Sequence, residues 1–195
     1  KIGTPLSVDD KLVFPAMNNR QGVLVSENGE EVLLEGEYGH VRSLCVSDGV
    51  GYYLARGKNK DNKITTIIFD HQGNRIGKEF LDTEIKHIYK LGDEVVIYYA
   101  ADNVRHILET ESGHIHTISD REIPEPFQIG EHFVYTEHRF GRSSVFLSAT
   151  EQRGRIPLCS HEEVYSVQQI DEQRFYVMAR EGGEIVKKVF NINED

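Results

Sequence analysis

Arginine recurs in the polar segments of this chain, and its spacing suggests a surface that binds anionic groups. Each of five segments between apolar runs contains at least one arginine; the segments are 17–21 (MNNRQ), 56–63 (RGKNKDNK), 101–105 (ADNVR), 138–142 (HRFGR) and 180–184 (REGGE). A guanidinium group binds a carboxylate or a phosphate through two parallel hydrogen bonds, which makes arginine a specific anchor for acidic groups. The alternative is that these segments are solvated loops whose charges form weak surface pairs.

A second series of polar segments carries carboxylates and alternates with the first along the chain. The segments are 36–41 (GEYGHV), 80–85 (FLDTEI), 118–123 (ISDREI) and 159–164 (CSHEEV). Their acidic residues are Glu37, Asp82, Glu84, Asp120, Glu122, Glu162 and Glu163. If both series lie on one surface, that surface combines carboxylates and guanidinium groups.

Aromatic and histidine side chains add to these segments. Tyr38 (EYGH) and Phe140 (RFGR) are both flanked by glycine and charged or polar residues, so we expect them in exposed loops, where an aromatic ring can anchor an interface. His40, His138 and His161 could meet in space to bind a metal ion, but loop histidines are more often merely exposed. We therefore predict no metal site and no cofactor.

The sequence offers little support for catalysis. It contains no GxSxG elbow, no P-loop and no GxGxxG motif. We predict no catalytic residues and favour a non-enzymatic function. The residues that we expect to contact a ligand or partner are Tyr38, His40, Arg56, Arg139, Phe140, Arg142, His161 and Arg180.

Composition limits the class of protein. The chain has 195 residues, of which 38% are hydrophobic, and this suits one folded domain spanning residues 1–195. The formal net charge of −10 argues against nucleic-acid binding, and no apolar run approaches the roughly 20 residues of a membrane span. Cys45 and Cys159 are predicted to be free thiols. Free thiols and the absence of a signal peptide in this sequence favour the cytoplasm.

Two turn patterns recur with a common period and predict the architecture that holds these segments. The first has its second turn residue at Asp10, Gly49, Asp93, Glu131 and Glu172, with steps of 39, 44, 38 and 41 residues. The second has its glycine at Gly29, Gly73, Gly113 and Gly154, with steps of 44, 40 and 41 residues. Glycine supports the positive φ of tight hairpins, and the segments between are rich in Val, Ile, Tyr, Phe and Thr. Each unit therefore predicts four short strands.

Four-stranded units with a period of about 40 residues resemble the blades of the β-propeller superfamily. We expect an all-β, five-bladed propeller with blades at approximately 1–36, 37–81, 82–119, 120–160 and 161–195. The last blade lacks its outermost strand, which leaves the closure of the ring open. A β-sandwich and a fragment of a larger propeller are the alternatives.

The resemblance implies that the arginine and carboxylate segments lie on one face, where propellers often bind partners. We favour a protein-binding module, and the negative net charge favours a basic partner. A propeller that binds a small molecule or carbohydrate is the alternative, with glycoside hydrolase activity at the channel mouth. That activity requires two or three carboxylates, and among the predicted innermost strands only Glu125 is acidic, although Asp82 or Asp120 could enter from the loops. A scaffold fragment without its own function is a further alternative.

Overall fold

The structure is a computed structural model that describes residues 2–91, 93–111, 113, 115–119, 123–149 and 154–192. Every regular element within these ranges is a β-strand. The strands are β1 (Leu6–Val8), β2 (Lys11–Asn18), β3 (Gln21–Ser26), β4 (Glu31–Glu37), β5 (His40–Ser47), β6 (Val50–Lys58), β7 (Ile64–Asp70), β8 (Arg75–Leu81), β9 (Glu84–Leu91), β10 (Glu94–Ala101), β11 (Val104–Glu109), β12 (Ile115–Ser119), β13 (Phe127–Ile129), β14 (His132–Arg139), β15 (Arg142–Ala149), β16 (Gly154–His161), β17 (Glu163–Gln169), β18 (Arg174–Glu181) and β19 (Glu184–Asn191). Among the described residues, no helix is long and apolar enough to span a membrane.

The strands form five antiparallel sheets, which we number as blades 1 to 5 in chain order. Blades 1 to 4 are β1–β4, β5–β8, β9–β12 and β13–β16, and blade 5 is the three-stranded sheet β17–β19. Within each sheet, neighbours along the chain pair with each other. The predicted all-β propeller architecture, with a last blade that lacks its outermost strand, is confirmed.

The hairpins between the second and third strands of blades 1, 3, 4 and 5 share one turn geometry. Two consecutive residues have positive φ in each: Asn19 and Arg20, Asp102 and Asn103, Phe140 and Gly141, and Gly182 and Gly183. Positive φ at both central residues defines the type I′ turn, whose twist matches that of the flanking strands. This turn normally selects Asn, Asp or Gly, because these residues tolerate the left-handed region.

The core lies between successive blades. Four clusters of buried apolar residues join blades 1 and 2, 2 and 3, 3 and 4, and 4 and 5. The second strands of the inner blades are buried on both faces; Tyr52 and Leu54 pack against blade 3, while Tyr53 and Ala55 pack against blade 1. In blades 2 to 4, the aromatic residues after the first turn therefore serve blade-to-blade packing.

Blades 1 and 5 each have one face without such a neighbour among the described residues. On blade 5, Ile185 and Val189 are 69% and 56% exposed, and on blade 1 Leu33 is 66% exposed. We call these surfaces the end faces. The described residues thus form four blade-to-blade cores for five blades.

Both cysteines are free thiols, as predicted. Cys45 is buried between blades 2 and 3, and burial raises the pKa of its thiol to about 11. Cys159 is half-buried, and burial raises the pKa of its thiol as well. Thiols with raised pKa values are poor nucleophiles, so both act as small apolar side chains.

Candidate functional site

The hairpins between second and third strands and the connections between blades lie together on one side of the molecule, which we call the loop face. Backbone hydrogen bonds join the two kinds of loop. The Tyr38 N–H donates to the Arg20 carbonyl at 2.8 Å, and the Gly39 N–H donates to the Arg56 carbonyl at 2.8 Å. In the same way, the Glu162 N–H donates to the Arg180 carbonyl at 3.1 Å.

The eight sequence-predicted site residues fall into two groups on this face. One group lies where blade 1 meets blade 2, and it contains Tyr38, His40 and Arg56; we call residues 36–40 and 56–57 junction 1–2. The other lies where blade 4 meets blade 5; we call residues 138–143, 160–163 and 180–183 junction 4–5. It contains Arg139, Phe140, Arg142, His161 and Arg180.

Tyr38 is not in an exposed position, and this part of the prediction is wrong. Its side chain is 5% exposed and packs edge-on against Phe69 at 6.0 Å between ring centroids, while its hydroxyl donates to the Glu35 carbonyl. Burial raises the pKa of this phenol. Gly36 permits the inward turn, because its φ is +116° and a Cβ there would lie 2.7 Å from the Tyr38 hydroxyl oxygen. Gly39, which flanks Tyr38, suggested an exposed loop, but Gly36, two residues before the tyrosine, allows the ring to enter the core.

His161 is buried as well, and it belongs to a polar network at junction 4–5. Its Nδ1 lies 3.1 Å from Glu181 Oε2, and the Arg142 Nη2 lies 3.3 Å from the same oxygen. Arg142 also donates from Nη2 to the Ser160 carbonyl at 3.0 Å. The hydrogen bond from His161, reinforced by the Arg142 charge, holds the pKa of Glu181 below its usual value. One carboxylate of blade 5 is therefore held by two side chains of blade 4.

Arg180 forms a second set of contacts at the same junction. Its Nε lies 3.6 Å from Glu162 Oε2, and its Nη2 lies 3.2 Å from Glu163 Oε2. The Gly182 N–H donates to Glu162 Oε1 at 3.2 Å, which ties the hairpin tip to the connection between the blades. These exposed pairs give little stability individually, but they fix the relative positions of the loops.

Arg139 forms an ion pair with the buried carboxylate of Glu137. Glu137 is 3% exposed, and it is held between Arg155 Nη1 and Arg139 Nε, the latter at 3.4 Å. Arg139 also donates from Nη2 to the Thr117 carbonyl of blade 3 at 2.9 Å. A buried carboxylate needs such partners, because an uncompensated charge in the interior is costly. The contacts of Arg139 are thus structural.

Phe140 has the opposite environment to Tyr38. It is fully exposed at the tip of the β14–β15 hairpin, and its φ is +52°. A bulky residue in the left-handed region is an outlier, because its Cβ crowds the backbone. Beside it, a cleft of about 320 Å³ runs between blades 4 and 5. Its lining includes His138, Ser143, Glu163 and Arg180.

The other sequence-predicted groups have mixed positions. His40 lies on blade 2, whereas His138 and His161 lie at junction 4–5, so the three histidines are not brought together. In the described part of the chain, no group of three or more His, Cys, Asp or Glu side chains is arranged to hold a metal ion. Asp120 and Glu122 lie outside the described residues.

Two carboxylates central to these contacts, Glu137 and Glu181, were not among the predicted residues. Glu181 directly follows Arg180 in the predicted loop segment, so the sequence offered a signal for it. Glu137 lies in the strand His132–Arg139, which reads HFVYTEHR. It is the one acidic residue of a largely apolar strand, and this pattern indicates a buried carboxylate with a charged partner.

Comparisons with known proteins show similarity in fold. No family model matches the chain, and no curated protein matches its sequence. Dipeptidyl peptidase 4 of Porphyromonas gingivalis is 12% identical over 94% of this chain and 38% of its own, with a TM-score of 0.51. TolB of Acinetobacter baumannii is 14% identical over 80% of this chain and 43% of its own, with a TM-score of 0.41. An oligogalacturonate lyase in complex with manganese is 10% identical over 96% of this chain and 61% of its own, with a TM-score of 0.46.

The chain spans 38 to 61% of the length of these three solved structures. At 10 to 14% identity, the likeness concerns the fold alone. The five sheets and their strand order, together with the likeness to dipeptidyl peptidase 4, show that the chain has a β-propeller fold.

Proposed function

We propose that this propeller is a non-enzymatic protein-binding module, and that its partner docks on the loop face at junction 4–5 with Phe140 as the apolar anchor. The proposal rests on the environment of Phe140, which combines full exposure with a positive φ. An exposed aromatic ring gains nothing from burial in the free protein, and left-handed backbone at a bulky residue costs about 1 to 3 kcal/mol.

The other type I′ hairpins of the loop face show which residue types this turn geometry favours. The residues at the position of Phe140 are Asn19, Asp102 and Gly182, all of which tolerate positive φ. At this first turn position, blade 4 alone among the four hairpins has a bulky residue, although Arg20 of blade 1 has a φ of +69° at the second position. Residues that break a local rule without a packing reason are expected at functional sites.

The surroundings of Phe140 match the anatomy of a protein interface. Apolar anchors with a polar, charged rim are typical of protein–protein contacts, and aromatic residues dominate their binding energy. Here the rim is formed by Arg142 with Glu181 and by Arg180 with Glu162 and Glu163. Because these arginines are already engaged with carboxylates, they serve complementarity more than affinity. The net charge of −10 favours a basic partner through long-range attraction.

The variant Phe140→Asn tests the proposal, because it moves stability and binding in opposite directions. It creates an Asn-Gly type I′ turn and should raise the free energy of unfolding by about 1 kcal/mol. In affinity capture from a lysate of the source, followed by titration of the purified partner, it should weaken binding at least about tenfold.

The matched control is Arg20→Gly, which creates an Asn-Gly turn in the equivalent hairpin of blade 1. It should leave partner binding unchanged, because Arg20 lies at the other end of the chain of blades. A partner that binds Phe140→Asn as tightly as the unaltered protein would exclude Phe140 as the anchor.

A further inference from the structure

The end faces of blades 1 and 5 are built like the inner blade faces but are not covered. On the second strands of blades 2, 3 and 4, the central residues on both faces are buried. On the outer side of blade 1, the corresponding residues Phe14 and Ala16 are only half-buried, and so are Tyr176 and Met178 on the outer side of blade 5. The end faces therefore have the side chains of a blade-to-blade core without the neighbouring blade.

Strand register defines the blade 1 end face. Two rows of paired residues cross strands β2, β3 and β4. The first row is Phe14, Val25 and Glu31. The second row is Ala16, Val23 and Leu33. Residues directly opposite in an antiparallel pair point to the same side, so these rows share one face. Its outermost strand, β4, reads EVLLEGE, with three glutamates and no basic residue.

The blade 5 end face has the same apolar centre and the opposite charge. Tyr176 lies opposite Val189, Met178 opposite Lys187, and Arg180 opposite Ile185. The Lys187 ammonium lies 4.4 Å from the centre of the Tyr176 ring. Its last strand, β19, reads EIVKKVFN, and Lys187 lies on this face, whereas Lys188 lies opposite Val177 on the inner face.

We propose that the blade 5 end face of one molecule docks on the blade 1 end face of a second copy of this chain. An apolar surface with basic side chains fits an apolar surface with acidic ones, and the contact continues the blade-to-blade packing that already joins blades 1 to 5. Within one molecule the two faces do not cover each other, because Leu33, Ile185 and Val189 remain more than half exposed.

The size and geometry of the contact determine what assembly to expect. A blade face of three to four strands, each about eight residues long, covers about 400 Å². This is about half of the roughly 800 Å² per partner in a standard interface, so association should be weak and concentration-dependent. The contact joins two different surfaces and is therefore head-to-tail, which yields rings or open chains of copies and not closed pairs.

Two single variants block one end face each. Ile185→Glu places a carboxylate on the blade 5 end face, and Leu33→Lys places a cation on the blade 1 end face. Both side chains are exposed, so neither change should unfold the protein. In sedimentation velocity across a wide concentration range, each should raise the dissociation constant of self-association by more than about tenfold.

Mixing the two variants gives the decisive measurement. The Leu33→Lys molecule keeps its blade 5 end face and the Ile185→Glu molecule keeps its blade 1 end face, so an equimolar mixture should form one-to-one dimers and nothing larger. Ile115→Glu, which alters an exposed apolar residue on the outer strand of blade 3, is the control and should associate like the unaltered protein. Thermal melts of all three variants establish that they are folded.

Three outcomes would overturn the proposal. The unaltered protein could remain monomeric at every concentration, which would mean that the end faces are closed within one chain or covered by a different partner. Both blocked variants could still associate, which would place self-association elsewhere. The mixture could contain no dimers while the unaltered protein associates, which would exclude head-to-tail contact.

Discussion

Junctions 1–2 and 4–5 share one backbone pattern but have opposite side-chain chemistry. In each, an N–H of the connection donates to the carbonyl of an arginine in the next blade, from Gly39 at one junction and from Glu162 at the other. The residue before each donor is buried. At junction 1–2 this residue is Tyr38, which joins an apolar cluster, and at junction 4–5 it is His161, which joins a polar network.

The difference shows where the molecule gives up stability. At junction 1–2 a large ring is buried, and the neighbouring β2–β3 turn begins with Asn19, which tolerates positive φ, although Arg20 follows it with a φ of +69°. At junction 4–5, the His161 Nε2 is buried without a hydrogen-bond partner among the described residues, and Phe140 is exposed with a positive φ. Residues that are less stable than the alternatives at their positions are concentrated at functional sites. The comparison therefore favours junction 4–5 as the functional one.

Truncation of Tyr38 and His161 to alanine should give the largest difference in the free energy of unfolding between the two junctions. Tyr38→Ala removes a ring from the core between blades 1 and 2 and should lower the free energy of unfolding by about 3 to 5 kcal/mol. His161→Ala removes a smaller polar side chain whose carboxylate partner is exposed, and it should cost about 1 kcal/mol. Urea unfolding of both variants, followed by tyrosine fluorescence and circular dichroism, measures the difference.

Equal losses at the two positions would contradict this comparison, because they would mean that both junctions are stabilised by burial alone. Tyr38→Phe serves as a control within junction 1–2. It keeps the ring and removes only the hydrogen bond to the Glu35 carbonyl, so it should cost about 1 kcal/mol.

A second contrast separates structural arginines from those of the loop face. Arg155→Met leaves the buried Glu137 with Arg139 as its remaining ion-pair partner, and it should lower the free energy of unfolding by about 2 to 3 kcal/mol. Arg142→Met breaks an exposed pair with Glu181 and should cost less than about 1 kcal/mol.

Thermal unfolding at constant pH and salt measures both arginine variants. Added salt should weaken the Arg142 pair more than the Arg155 pair, since water and ions screen exposed charges more effectively. A large loss for Arg142→Met would show that junction 4–5 depends on its surface ion pair, and it would favour a structural role for that network.

The fold could be predicted from the sequence because the turn signals are local and periodic. Hairpins at a spacing of about 40 residues need only Gly, Asn or Asp at the correct positions, and the alternation of apolar residues in the strands supports them. The three-stranded last blade followed from counting strands. The exposed end faces did not, since whether two blades touch depends on the curvature of the whole array.

The site could be predicted only in part, because burial at a connection depends on contacts distant in sequence. Tyr38 and Phe140 have almost the same local pattern, EYGH and RFGR. One ring turns inward because Gly36 has a φ of +116° and a neighbouring blade offers a pocket beside Phe69. The other, Phe140, is fully exposed at a hairpin tip. Neither difference is written in the residues that flank the rings.

The smallest expected effect is a difference in pH dependence between the two junctions. The pKa of Glu181 is lowered in the folded protein, so its contribution to stability is present above its unfolded pKa of about 4.3 and is lost as the pH falls. The pKa of Tyr38 is raised, so its contribution is present below its unfolded pKa of about 10 and is lost as the pH rises, because only the unfolded chain then ionises.

Urea midpoints measured across both pH ranges test this opposition. Glu181→Gln should flatten the acid limb of the stability profile and leave the alkaline limb unchanged, whereas Tyr38→Phe should flatten the alkaline limb alone. The alkaline change will be partial, because burial also raises the pKa values of Tyr52 and Tyr135 to about 12. If Glu181→Gln left the acid limb unaltered, the network around His161 would contribute no stability through charge. The buried His161 and the exposed, strained Phe140 would then remain as the differences between junction 4–5 and junction 1–2.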